Sequence, residues 1–191
     1  NRFVFNDEKG IIYIYYRDTQ KISKYNFYKK KIRNFNIELF YTIYKDKIIV
    51  ADNLGYVYCI NLKTSKLVWA EFFQIPFNSN IKVSLDQIFL ANSKNDILVL
   101  NLNSGKKNWS FATDNNIFKS KFLNNLLINN NNIYLLNTNG SLYSINHENK
   151  NLNWISSFKN QEDNVQATFD GKITTIDKNK ILISTDDLIS L

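Results

Sequence analysis

One cysteine and one histidine in 191 residues leave little from which metal or disulfide chemistry could be built. Cys59 alone excludes an intrachain disulfide framework and any multi-cysteine metal site. His147 stands in a polar turn with no evident nucleophile beside it, so it reads as an exposed, idle side chain rather than a ligand. No stretch approaches the roughly 20 apolar residues that span a bilayer. Helical periodicity is absent throughout, and so are a phosphate-cradling glycine loop and a Ser-His-Asp arrangement. The first residues, Asn1-Arg2-Phe3-Val4, contain neither methionine nor a basic-then-apolar signal region, which reads as a trimmed or mature piece.

What the chain has in quantity is aromatic and β-branched side chains. Aromatics make up 15% and apolar residues 44%, a composition that packs well on pleated surfaces. The formal charge of +7 would suit nucleic acid or an anionic membrane. The lysines, however, are spread along the chain, and lysine and asparagine are both over-used, as an AT-rich genome would produce. No nucleic-acid partner is therefore expected. The one dense cluster, Lys29-Lys30-Lys31 with Arg33, reads as a solvated loop between two apolar runs.

Trp69, Trp109 and Trp154 stand 40 and 45 residues apart, inside the range of four-stranded propeller blades. Eight residues before each lies an asparagine, Asn61, Asn101 or Asn146, placed to open a turn by bonding back to nearby amides. Fourteen residues before each lies Gly55, Asn95 or Gly140, residue types that tolerate the positive φ of a tight hairpin. Short apolar runs flank each hairpin turn, such as Ile48-Ile49-Val50-Ala51 before Gly55 and Tyr56 to Ile60 after it. A further strand lies upstream of each hairpin, around Tyr41 to Ile43, Ile81 to Ser84 and Leu126 to Ile128.

Two weaker copies flank these three. Phe3 to Phe5, a turn at Gly10 and Ile11 to Tyr15 form the first, with Tyr25 near the tryptophan position. Ile173 to Ile176, Ile181 to Thr185 and Leu188 to Leu191 begin the last. The fold expected is all-β, a β-propeller of four-stranded antiparallel blades. The blades run over approximately 1–30, 36–73, 81–112, 125–158 and 172–191, as one partial domain over 1–191. Propellers close rings of typically four to eight blades. About four to five blades with a leftover hairpin imply part of a larger ring, seven- or eight-bladed, and an open half-ring would self-associate through its edge strands.

These segments resemble the pyrroloquinoline-quinone-type (PQQ-like) propeller repeat, whose consensus runs Ala-x-Asp-x-x-Thr-Gly-x-x-x-Trp. The matching segments run from Cys59-Ile60-Asn61 to Trp69, from Val99-Leu100-Asn101 to Trp109, and from Ser144-Ile145-Asn146 to Trp154. Asparagine replaces the family aspartate throughout, and only Gly105 keeps the family glycine. The resemblance implies that the three tryptophans dock neighbouring blades rather than touch a ligand. Within the family the chain looks most like the propeller lipoprotein of bacterial outer-membrane protein assembly. That likeness implies a non-enzymatic periplasmic, outer-membrane-associated scaffold, with no cofactor, that binds the periplasmic domains of the central barrel-assembly protein. Two alternatives stand beside it. One is a fragment of a quinone-dependent dehydrogenase, although one cysteine rules out that family's vicinal disulfide within this chain. The other is the sensor ectodomain of a membrane receptor.

Other candidate residues have plain structural readings. Cys59 takes the family's small-residue position and reads as buried packing. The acidic pairs Glu162-Asp163 and Asp186-Asp187 lack the alternate spacing of a calcium loop and read as turn residues. The sequon Asn139-Gly140-Ser141 is already explained by its hairpin. Tyr25, Phe27 and Tyr28 could stack nucleobases, but aromatics at this density read as core between blades.

Overall fold

The computed structural model describes residues 2–28, 36–114, 120, 122–158, 169–175, 180–185 and 189–190. Among these there is no helix, and every sheet is an antiparallel meander. The chain divides into two compact units, Asn1–Pro76 and Phe77–Leu191.

The first unit holds two sheets. One comprises β1 (Arg2–Asn6), β2 (Ile11–Tyr16) and β3 (Lys21–Asn26). The other comprises β4 (Leu39–Tyr44), β5 (Lys47–Asp52), β6 (Tyr56–Asn61) and β7 (Lys66–Phe72). Middle strands β5 and β6 are buried on both faces. They therefore read as unbroken apolar runs, Ile48 to Ala51 and Val57 to Ile60, rather than as an alternation. The core joins the two sheets: Ile12 and Ile14 pack with Ile48, Val50, Tyr58, Ile60 and Leu62. Each such side chain contributes roughly 1.5–3 kcal/mol on burial.

The second unit holds three sheets. The first is β8 (Lys82–Ser84), β9 (Gln87–Ala91), β10 (Ile97–Asn101) and β11 (Lys107–Phe111). The second is β12 (Asn125–Asn129), β13 (Asn132–Leu136), β14 (Ser141–Asn146) and β15 (Leu152–Ser157). The third is β16 (Gly171–Thr175), β17 (Ile181–Thr185) and β18 (Ile189–Ser190). Phe89, Ala91, Ile97 and Val99 of the first sheet pack against Leu126, Ile133, Leu135, Tyr143 and Ile145 of the second. Leu136, Leu142 and Ile183 continue the core towards the third.

This is the propeller-blade architecture, with strands in chain order across each sheet. A β-bulge recurs at one phase of the repeat. Trp69 opposes Cys59, but Ile60 opposes Leu67, so Val68 is the extra residue. Asn108 and Asn153 are extra in the same way, each just before its tryptophan. A bulge bends its strand and re-aims the following side chain, which gives the tryptophan phase a local physical cause.

Candidate functional site

Among the described residues, four hairpins are closed by an acidic or amide side chain three residues before the turn residue. Asp52 Oδ1 accepts the amides of Leu54 (2.9 Å) and Tyr56 (2.8 Å). Asp7 does the same for Lys9 and Ile11, Asn92 for Lys94 and Asp96, and Asn137 for Asn139 and Ser141. The turn residues that follow have positive φ: 72° at Gly10, 96° at Gly55, 70° at Asn95 and 80° at Gly140. Sequence reasoning found the turn residues and missed these four caps. The signal was available, since an Asx residue stands three positions before each turn residue in all four copies.

The loop after one blade clasps the hairpin tip of the next. In the first unit the Tyr28 hydroxyl donates to Asp52 Oδ2 at 2.6 Å. Its ring crowds Gly10 so closely that a Cβ there would stand 2.6 Å from Tyr28 Cε2. Burial pushes the Asp52 carboxyl up, although hydrogen bonds from Tyr28, Tyr56 and Leu54 oppose it. Burial also drives the Tyr28 hydroxyl far up, with the charge of Asp52 adding to it. Phe27 stacks flat on Tyr58, ring centroids 4.2 Å apart at 6°.

In the second unit the clasp is Asp114. Its Oδ1 accepts Asn137 Nδ2 (2.5 Å) and the Tyr143 hydroxyl (2.6 Å), and its Oδ2 accepts Asn139 Nδ2 (3.0 Å) and Ser141 Oγ (3.2 Å). Burial, then the bond to Asp114, pushes the Tyr143 hydroxyl up to about 12. Behind it lies a buried amide and hydroxyl layer. Asn124 Nδ2 donates to Asn78 Oδ1 and to the Asn92 carbonyl, and Thr138 Oγ1 donates to Asn95 Oδ1. Buried polar groups must find partners, and here they find one another. The arrangement holds blades in register and leaves the Asp114 carboxylate saturated with donors.

The phased residues have defined places. Asn61, Asn101 and Asn146 each accept two amides, from the second and third residues onward, at 2.9–3.0 Å. Trp109 packs against the core between the first two sheets of its unit. Trp69 is half-buried, and Trp154 is 43% exposed beside Tyr134. Cys59 is fully buried, and burial pushes its thiol up to about 11. Tyr25 and Phe27 pack against the first unit's core and Tyr28 is buried in it. Asn139 of the sequon spends its amide on Asp114.

His147 departs from the expectation of an exposed side chain. It is half-buried, its ring lies 5.5 Å from that of Phe89, and its Nε2 is buried without a hydrogen-bond partner. The reason lies in the repeat. His147 follows Asn146 as Leu62 follows Asn61 and Leu102 follows Asn101, and both leucines are buried. All three backbone amides donate to the preceding turn, at Asp46, Asp86 and Asn131. The position is a plug under the turn, and histidine has inherited it.

Lys29-Lys30-Lys31 with Arg33, Glu162-Asp163 and Asp186-Asp187 lie outside the described residues. Among the described residues no three His, Cys, Asp or Glu side chains come together as a metal site requires.

Direct comparison with curated proteins finds no match in sequence. Solved structures match in fold. The BamB structure from Moraxella catarrhalis has a TM-score of 0.74 at 14% identity, covering 94% of this chain and 57% of that one. Sqt1 from Saccharomyces cerevisiae has 0.70 at 12%, covering 94% and 50%. A europium-containing methanol dehydrogenase has 0.53 at 13%, covering 62% and 25%. The chain thus spans about half the length of the first two of these proteins. The family model described as outer membrane protein assembly factor BamB matches residues 8–185, and the chain belongs to that family.

Proposed function

We propose that this chain is a non-enzymatic interaction scaffold of the bacterial periplasm that assists outer-membrane β-barrel assembly, docking a BamA-like periplasmic domain. The observation that carries the reading is the family match over nearly the whole chain. The geometry is consistent with it, because the polar groups at the hairpin tips are committed to one another, as in the four donors on Asp114. Such tips offer a rigid rim on which a partner can dock. In this reading Trp69, Trp109 and Trp154 serve blade packing, and Gly10, Gly55, Asn95 and Gly140 serve the turns. A pull-down with the cognate BamA-like periplasmic domains tests it, and retention at micromolar concentration is the expected result. Failure to retain the chain there sinks the proposal.

A quinone-dependent dehydrogenase fragment is the second reading, favoured by the likeness to methanol dehydrogenase over 62% of the chain. Titration with pyrroloquinoline quinone and calcium separates the two, since a scaffold leaves the quinone absorbance unchanged.

A further inference from the structure

Cations scattered along the sequence come together at one end of the first unit's two sheets. The Tyr16 hydroxyl donates to the Leu62 carbonyl at 2.9 Å and lies 3.2 Å from Ser65 Oγ, holding the β2–β3 turn beside the β6–β7 turn. The Leu62 amide donates to the Asp46 carbonyl at 2.8 Å, which brings the β4–β5 turn alongside. On or beside these three turns stand Arg17, Lys21, Lys45, Lys47, Lys63 and Lys66, and Arg2 lies over the Tyr16 ring at 5.4 Å. The carboxylates there are Asp18 and Asp46, the latter paired with Lys63 at 2.6 Å. Seven cations against two carboxylates leave a net +5 at this end among the described residues.

The basic end is also apolar. Phe3 (57%), Ile22 (56%), Ile43 (49%) and Leu67 (43%) are exposed there. Phe3, Tyr15 and Ile22 form one cross-strand row in the first sheet, and Ile43 and Leu67 end a row in the second. Charge alone would suit any polyanion. Cations interleaved with exposed aliphatic side chains suit a bilayer interface, where headgroups take the charge and the acyl boundary takes the side chains. An acidic peptide leaves those side chains in water, and nucleic acid calls for stacking aromatics, of which, among the described residues, Phe3 alone is strongly exposed at this end.

We propose that this end of the first unit rests on an anionic lipid bilayer, with the Arg17, Lys21, Lys63 and Lys66 side chains at the headgroups and Ile22 and Leu67 at the acyl boundary. The contact is separate from the docking of a protein partner and stands or falls without it.

Co-sedimentation of the 191-residue chain with vesicles tests the contact. Binding is expected to phosphatidylcholine vesicles containing about 30% phosphatidylglycerol and not to phosphatidylcholine alone. It falls as salt rises from about 50 to 500 mM. Lys21→Gln with Lys66→Gln weakens binding about thirtyfold, while Lys94→Gln with Lys150→Gln, in the second unit, leaves it unchanged. Ile22→Ser with Leu67→Ser weakens binding but keeps its salt dependence. Equal binding to neutral vesicles, or indifference to Lys21 and Lys66, overturns the proposal. So does a chain that ignores vesicles yet binds polyglutamate or an oligonucleotide through the same lysines.

Discussion

Asp7 and Asp52 occupy one position of the repeat, yet the fold treats their charges oppositely. Burial dominates at Asp52 and raises its carboxyl above the ordinary value. A raised value means stability is complete below about pH 4 and is lost as pH rises through the folded-state value. At Asp7 burial also pushes upward, but hydrogen bonds from Ile11, Tyr13 and Lys9 outweigh it and the carboxyl is lowered. Its contribution is present above about pH 4 and is lost as pH falls through the lowered value. Asparagine can still cap the turn, as Asn92 and Asn137 do. Asp52→Asn should therefore match or exceed the parent stability at pH 7 and lose that advantage at pH 3. Asp7→Asn should cost on the order of a few tenths of a kcal/mol at pH 7, discounted for its exposure, and nothing at low pH. Urea melts at the two pH values read both signs.

His147 gives a second prediction at this scale. Leucine fills the same plug in two other blades, and a buried ring nitrogen without a partner is unfavourable. His147→Leu should raise stability by about 1 kcal/mol, visible as a higher urea midpoint with an unchanged slope. Read locally, a histidine in a polar turn looks exposed. Only its phase against Leu62 and Leu102 reveals the plug.

Among the elements, the turn before each outer strand carries the repeat's departure from its family. The fourth residue after Tyr16, Asn61, Asn101 and Asn146 is in the left-handed region: φ is 54° at Gln20, 53° at Ser65, 72° at Gly105 and 63° at Lys150. Only one of the four is glycine. A side chain there costs about 1–2 kcal/mol, partly offset by the greater unfolded-state freedom of glycine. Lys150→Gly should raise stability by roughly 0.5–1 kcal/mol, and Gly105→Lys should lower it by a similar amount. Thermal melts of the pair test whether this turn is strained. Strands and turns were legible in the sequence because they follow from local periodicity and backbone preference. The Asp114 clasp was not, because its donors Asn137, Asn139, Ser141 and Tyr143 lie 23 to 29 residues further along the chain. The basic end was hidden for the same reason: Arg17, Lys45 and Lys63 look dispersed until the Tyr16 and Leu62 hydrogen bonds gather their turns.

On the scale of the whole molecule, the blades differ most in how their outer strands meet solvent. Charges interrupt β3 at Lys21 and Lys24, β7 at Lys66 and Glu71, and β11 at Lys107. Strand β15, Leu-Asn-Trp-Ile-Ser-Ser, carries none, and all six of its residues are exposed. It ends its sheet, and among the described residues no strand pairs with its outer edge. Charged side chains on an edge strand discourage pairing between copies, and an uncharged apolar edge invites it. Paired antiparallel with a second copy about a two-fold axis at Ile155, β15 would set Ile155 opposite its own counterpart, a β-branched pair of the kind that stabilises sheets. The chain should therefore associate reversibly as its concentration rises. Ile155→Lys should shift it towards monomer by placing two like charges near the dyad, while Ile22→Lys, on the already charged β3, should not. Sedimentation velocity over a concentration series distinguishes the two variants. Equal association in both would place the contact on another edge.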